Sequence, residues 1–199
     1  GNVLSSGQGM NPAKKSAINA GLDNEIIAFN INQVCGSGLQ SIIQASNTIK
    51  LNPSSVIIAG GQESMSNAPH TVNLRKGTHL GNATFLDTLI TDGLTCSVNN
   101  IHMGLTVESL AKKYNVSRQE QDEYALNSHI KARQAQIDNV FDDEITKIVI
   151  KSRKGDTHFE KDEHIRTDID SDSLNKLKPA FSTDGTITAG NASGINDAA

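Results

Sequence analysis

Apolar residues fall in short blocks along the chain, and their spacing changes from block to block. Ile26 to Ile31 (Ile-Ile-Ala-Phe-Asn-Ile) is a mostly apolar run, and Val56 to Gly60 is a second. Each has the length of one strand buried on both faces. Between them Leu39, Ile42, Ile43 and Ile49 recur at helical spacing, with Ser46 completing the stripe. Strand, helix, strand in that order predicts a parallel sheet covered on both faces, hence an α/β fold class. Upstream, Asn11-Pro12 reads as an N-cap with proline at the first helical position, opening a helix to about Ala20 that Gly21 ends.

From about Ser64 the pattern changes. Residues 66 to 101 are polar, rich in Asn, Thr and Gly, and carry no sustained period, which marks a functional stretch or one stabilised by a neighbour. Thr106 to Tyr114 and Ser117 to Ile137 read as helices, the second opened by a capping box of Ser117 and Glu120. Ile145 to Ile150 reads as a strand, and the charged stretch Lys151 to His164 as a hairpin. Lys178-Pro179-Ala180-Phe181 closes that region, and Thr186 to Ala189 is a short β-type run expected to rejoin the first sheet. Composition therefore suggests two parts. Residues 1–65 and 182–199 belong to one α/β core, and 66–181 form an inserted loop domain.

The most telling position is the junction of the first strand and its helix. Asn32-Gln33-Val34-Cys35-Gly36-Ser37-Gly38-Leu39 puts a cysteine where a strand turns into a glycine-rich helix start. Unpartnered N–H groups and the helix dipole favour negative charge there, conditions that lower a thiol's pKa and favour the nucleophilic thiolate. Gly36 and Gly38 leave room for a substrate to approach. Against this stands the ordinary fate of a free cysteine, which is burial as a small inert hydrophobe.

Charge and length narrow the classes. The 199 residues carry a net charge of −4 with little clustering of basic residues, which argues against a nucleic-acid surface. No apolar stretch approaches the ~20 residues of a membrane span. Two cysteines, one in an activated setting, fit a reducing cytoplasm better than a disulfide framework. Trp is absent, so the core must be aliphatic.

Four further blocks accompany the cysteine motif: Ile58-Ala59-Gly60-Gly61-Gln62-Glu63-Ser64-Met65-Ser66; Asp92-Gly93-Leu94 with His102-Met103-Gly104; Ser117-Arg118-Gln119-Glu120-Gln121-Asp122; and Thr188 to Asp197 (Thr-Ala-Gly-Asn-Ala-Ser-Gly-Ile-Asn-Asp). In this order they closely resemble the thiolase family, of the acetoacetyl-CoA type. The resemblance implies a thiolase-like fold: part of a layered N-terminal core plus the loop domain, which binds coenzyme A. It implies acetyl transfer between two acyl-CoA molecules, with Cys35 as the acyl-carrying nucleophile and its own N–H in an oxyanion hole. It places Arg166 at the nucleotide end of CoA, and Ser173 and Ser193 along the same groove. Leu94, His102 and Met103 line the pantetheine and acyl pocket, with His102 as a wall and hydrogen-bond partner and no general base. Phe181, Ala189 and Gly190 shape the CoA channel. Cys96, in Leu94-Thr95-Cys96-Ser97, matches no catalytic position and is expected to be structural.

The resemblance further implies no cofactor, coenzyme A thioesters being substrates, no metal, no nucleic-acid or membrane partner, and a homodimer or homotetramer. Three family blocks do not occur in these residues: Asn-Glu-Ala-Phe, Gly-His-Pro with the activating histidine, and the Cys-Gly-Gly-Gly that supplies the acid/base cysteine. The family's N-terminal strand and Arg-Thr-Pro segment do not occur either. The chain is thus expected to be a central piece of a thiolase that does not condense acetyl-CoA by itself. Two alternatives are a non-catalytic CoA-binding or dimerising module, and a cysteine hydrolase or thiol-redox protein built on Cys35.

Overall fold

The computed structural model describes residues 1–199, which divide into two compact units: Gly1–Met103 with Ile195–Ala199, and Gly104–Gly194. These units do not coincide with the expected split at 65/66 and 181/182. Residues 66–103 join the first unit through local ties. Gly93 lies beside Leu4, the Ser66 N–H and hydroxyl donate to Asp197, and within the stretch Thr88 donates to the Pro69 carbonyl through both its N–H and its hydroxyl.

In the first unit α1 (Pro12–Asn19) forms where Asn11-Pro12 predicts it. The Asn11 side chain accepts the Lys14 N–H, and Gly21 follows at φ +87°. Helix α2 (Ser37–Leu51) begins two residues after Cys35. The two apolar runs expected to pair in a parallel sheet form no ladder with each other. They lie extended on either side of Gly1 and Asn2. The Asn2 N–H donates to Ile31 O at 3.0 Å, the Gly1 amine to Gly60 O at 2.9 Å, and the Gln62 N–H to Gly1 O at 2.9 Å. The first run also accepts from the Asn11 amide and the Lys14 ammonium, but alternate apolar side chains of both runs face solvent: Ile27 is 90% and Val56 97% exposed. The α2 stripe of Leu39, Ile42, Ile43 and Ile49 is exposed as well.

The aperiodic stretch organises locally. β1 (His70–Thr71) pairs antiparallel with β2 (Leu86–Asp87), a π-helical turn spans Leu89–Leu94, and β3 (Thr95–Cys96) pairs with β4 (Ile101–His102). Two short backbone pairings of two residues each explain why no period is visible in the sequence. The C-terminal block returns to this unit. Glu63 and Ala198 exchange backbone bonds, and the Asp197 carboxylate accepts the Ser66 N–H and hydroxyl and the Ser64 hydroxyl. The Ser66 bonds above all hold the Asp197 carboxyl below its ordinary range. Its contribution to stability is therefore present above the ordinary carboxylate value and is lost as pH falls through the lowered one.

The second unit is built on α3 (Met103–Tyr114) and α4 (Arg118–Ile137). The capping box expected of Ser117 and Glu120 is present. β5 (Ile148–Ile150), the end of the expected strand, pairs with β6 (Thr157–Phe159), so the hairpin joins that strand to the stretch expected to fold back on itself, with Ile148 opposite Phe159. A short α5 (Ser171–Asn175), capped by Asp170, has no counterpart among the sequence expectations. Thr186–Ala189 does not rejoin the first sheet. Its backbone bonds to Ala180, and the half-buried Glu108 carboxylate accepts the Thr186 and Ile187 N–H groups, so a carboxylate partner replaces a strand neighbour. The core here is Leu174, Ile187, Ala111 and the fully buried Thr188. No helix is long and apolar enough to cross a membrane.

One network joins α4 to the segments that follow it. Buried Asp122 takes the Arg118 Nε at 2.7 Å and the Asn191 amide at 2.8 Å, while Arg118 also reaches Leu174 O at 2.6 Å. Asp122→Ala leaves Arg118 and Asn191 without that acceptor, and is expected to cost about 3 kcal/mol in chemical denaturation. Asp122→Asn keeps an acceptor for Asn191 and should cost less; equal losses would contradict the role of that acceptor and leave the whole effect to the charge. The exposed apolar runs predict self-association of the 199-residue chain. Light scattering should give a mass above that of one chain, rising with concentration, whereas a constant monomer mass would contradict it.

Candidate active site

Cys35 is exposed and stands at the start of α2. The residue before it, Val34, adopts φ +50°. A β-branched residue in the left-handed region is sterically costly, and such outliers persist only where neighbouring bonds over-determine them. Those bonds are present. Asn32 Oδ1 accepts the Val34 N–H at 3.0 Å, and Gln33 O accepts the Gly36 N–H at 3.0 Å. The buried Ser37 hydroxyl donates to Val34 O at 2.6 Å and accepts the Gln33 N–H at 2.9 Å. Ser37 therefore clamps both sides of the turn that presents the sulfur.

Glycines bring the backbones under that turn together. A Cβ on Gly1 would lie 2.5 Å from Gly38 N and from Ser37 C, and one on Gly61 would lie 3.4 Å from the Gly38 Cα. The Ser41 hydroxyl adds a bond to Gly60 O at 2.8 Å. Glu63 completes the seat. Its carboxylate accepts the Asn2 amide at 2.8 Å and the Val3 and Leu4 N–H groups at 2.9 Å each. Gly61 of the Ile58–Ser66 block thus serves close packing beneath α2.

The other sequence-predicted site residues divide between the units. Leu94, His102 and Met103 are in the first. Leu94 ends the π-helical turn, and His102 lies opposite Thr95 in the β3–β4 pair, so the two adjoin one hairpin. π-Helical turns recur at functional positions. Met103, at the start of α3, is 41% exposed. Cys96 lies in the same hairpin, where the N–H groups of Asn99 and then Val98 hold its thiol below the ordinary range. Those donors belong to the turn that Asn100 closes by bonding to Cys96 O at 2.7 Å, a structural setting.

Arg166, Ser173, Phe181, Ala189, Gly190 and Ser193 are in the second unit. Phe181 covers Gly104, where a Cβ would lie 2.4 Å from its ring. Gly190 packs equally closely on Leu174 and Leu177, so a side chain there would collide with the core. Ala189 and Ser193, directly before Gly190 and Gly194, are exposed. Arg166 is exposed also. The Ser173 hydroxyl is engaged locally: it donates to Asp170 O at 2.7 Å and accepts the Asp170 N–H at 3.1 Å, capping α5. Sequence reasoning passed over Ser37 and Asn191, whose roles are to hold the backbone. Their only signal was a small polar residue among glycines.

Comparison with known proteins supplies the family. The model of the thiolase N-terminal domain matches residues 1–199. An acetyl-CoA acetyltransferase of Rhizobium meliloti is 49% identical over the whole chain, and that of Shinella zoogloeoides 47%. In both cases the chain spans 51% of the relative, about half its length. A crystal structure of the Bacillus anthracis acetyl-CoA acetyltransferase superposes with a TM-score of 0.94 at 41% identity, covering 98% of this chain and 50% of that one. The fold is that of the α/β thiolases, and the chain belongs to the thiolase family.

Proposed function

We propose that this chain carries the nucleophile and part of the coenzyme A contacts of an acetyl-CoA acetyltransferase. The observation that supports the reading most is Cys35, exposed on a strained turn that Ser37 and three glycines hold at the mouth of a helix. In this reading the Cys35 sulfur attacks the thioester carbonyl of one acetyl-CoA. The tetrahedral oxyanion is stabilised by N–H donors including that of Cys35, and CoA leaves with a proton. A second acetyl-CoA loses its Cα proton, and the carbanion attacks the acyl-enzyme carbonyl. The new carbon–carbon bond forms as the bond to Cys35 breaks, giving acetoacetyl-CoA. Thiolysis is the reverse.

Arg166 serves the nucleotide end of CoA, where a guanidinium can stack on adenine or pair with phosphate. Leu94, His102 and Met103 are proposed to lie against the pantetheine and acyl group, Phe181, Ala189 and Gly190 to shape the CoA channel, and Ser173 and Ser193 to line the CoA groove. The 199 residues alone are proposed to fall short of condensation, since the blocks that supply the family's histidine and second cysteine do not occur in them. The protein is proposed to act in the cytoplasm, consistent with two cysteines outside any disulfide. It is proposed to work as a homodimer or homotetramer, consistent with exposed Ile27, Phe29, Val56 and Ile58.

Intact-mass analysis of the full-length protein after a short pulse of acetyl-CoA tests the reading. One acetyl group should map to Cys35 and vanish in Cys35→Ala. CoA binding without acetylation would instead favour a CoA-binding module. Ser37→Ala should slow acetylation at least tenfold and lower stability by about 1–3 kcal/mol, because the Gln33 N–H loses its acceptor and the Val34 carbonyl keeps only the Ser37 N–H. Unchanged acetylation with only lower stability would limit Ser37 to folding.

A further inference from the structure

Three side chains on one face of α4 hold the backbone of the segment that carries Arg166. The Arg166 N–H donates to His129 Nδ1 at 3.2 Å, the Arg133 guanidinium donates to Thr167 O at 3.0 Å, and the Gln136 amide donates to Asp162 O at 3.3 Å. The His129 ring also faces that of His164, with centroids 5.9 Å apart and planes tilted by 36°. On its other side His164 lies against Gly194, where a Cβ would be 2.4 Å from its Cε1. A line of contacts thus runs from α4 through two imidazoles to the backbone beside Ser193, with Arg166 attached to its first member. We propose that His129 is a positioning residue for coenzyme A, which must be neutral to hold the Arg166 segment in place. The inference rests on the acyl-CoA reading above, and assigns a role to a residue outside the thiolase blocks.

The argument is one of donors and acceptors. A neutral imidazole has one acceptor nitrogen, and the bond from Arg166 uses it, so the ring hydrogen sits on Nε2. Protonation converts Nδ1 into a second donor facing an N–H, and the bond is lost. Of the three ties, this is the one that depends on a proton, since guanidinium and amide donate at any physiological pH. The surrounding charges favour the neutral form. The segment packed on His129 brings His164 and Arg166; its carboxylates Asp162, Glu163 and Asp168 form no ion pair with the ring. Arg133 lies one turn along α4, and Asn191–Gly194 carries no titratable side chain. Burial first, then His164 and Arg166, hold the His129 pKa below the ordinary histidine value. With the folded value lowered, the neutral contact is fully present above the ordinary histidine pKa. It is lost as pH falls through the lowered one.

Calorimetric titration of the full-length protein with coenzyme A between about pH 8 and about pH 5.5 tests this. The control is His129→Gln, whose amide oxygen can accept the same N–H at every pH. Protonation of the CoA phosphate affects both proteins alike and cancels in their ratio. Wild-type affinity should fall about tenfold further than that of His129→Gln over this range. His129→Ala should bind about tenfold more weakly than wild type even at about pH 8, with His129→Gln restoring the loss. Identical pH slopes for wild type and His129→Gln would overturn the inference while leaving the acyl-CoA reading intact. So would full affinity in His129→Ala. Failure of the wild type to bind coenzyme A at any pH would overturn both. Because the wild-type and glutamine comparison decides the matter alone, a misfolded alanine variant does not rescue the proposal.

Discussion

The first unit depends on how closely backbones approach beneath the start of α2. Gly1, Gly38 and Gly61 meet there at distances that admit no side chain on Gly1, and the Gly1 and Asn2 backbone bonds to Ile31, Gly60 and Gln62 pass through the same point. That seat fixes where α2 begins, and so where Cys35 emerges. A turn with Val34 at φ +50° is unfavourable in isolation. It persists because the buried Ser37 residue bonds the Val34 carbonyl through both its hydroxyl and its N–H, and its hydroxyl is the acceptor of the preceding Gln33 N–H, which would be costly to leave unpaired. Local strain and a buried hydroxyl are thus two parts of one arrangement that turns a sulfur outward.

The second unit uses charge for the same end. Its buried apolar residues are few, with Leu174 and Ile187 at the centre, and polar side chains with several partners do much of the positioning. Glu108 receives the backbone of Thr186 and Ile187, and Asp122 receives Arg118 and Asn191. Asn191 in turn accepts the Thr188 N–H at 2.7 Å and donates to Thr186 O at 3.1 Å, so the glycine-rich loop is held at both ends. Ala189, Gly190 and Ser193 are placed by this network.

How much of this was legible depended on the range of the interaction involved. Helices α1, α2, α3 and α4 follow from caps and apolar spacing because their determinants lie within a few residues. The β5 strand was legible for the same reason. The Thr186–Ala189 run shows the opposite case. Its composition suits a strand, and only the distant Glu108 carboxylate decided that its N–H groups would bond to a side chain. The runs at Ile26–Ile31 and Val56–Gly60 have strand sequences too, yet their pairing depends on which backbone lies alongside, a fact that no property of the runs contains. The α5 cap and the short β1–β2 and β3–β4 pairs carry too few residues to produce a period.

Residue identities by themselves determined the chemistry on offer: a cysteine between a strand-like run and a glycine-rich helix start, with ordered blocks that match one family. Side-chain type and near-neighbour spacing are sufficient for that, since they set which groups exist and which helices form. Tertiary structure alone decided that Val34 takes a left-handed conformation, that Ser37 and Glu63 spend their bonding capacity on backbone groups, and that His129 on α4 meets the N–H of Arg166. The partners in these contacts reach across as many as 60 positions. Which of many possible acceptors a donor reaches at such separations is set by the packed arrangement of the chain, not by its local order.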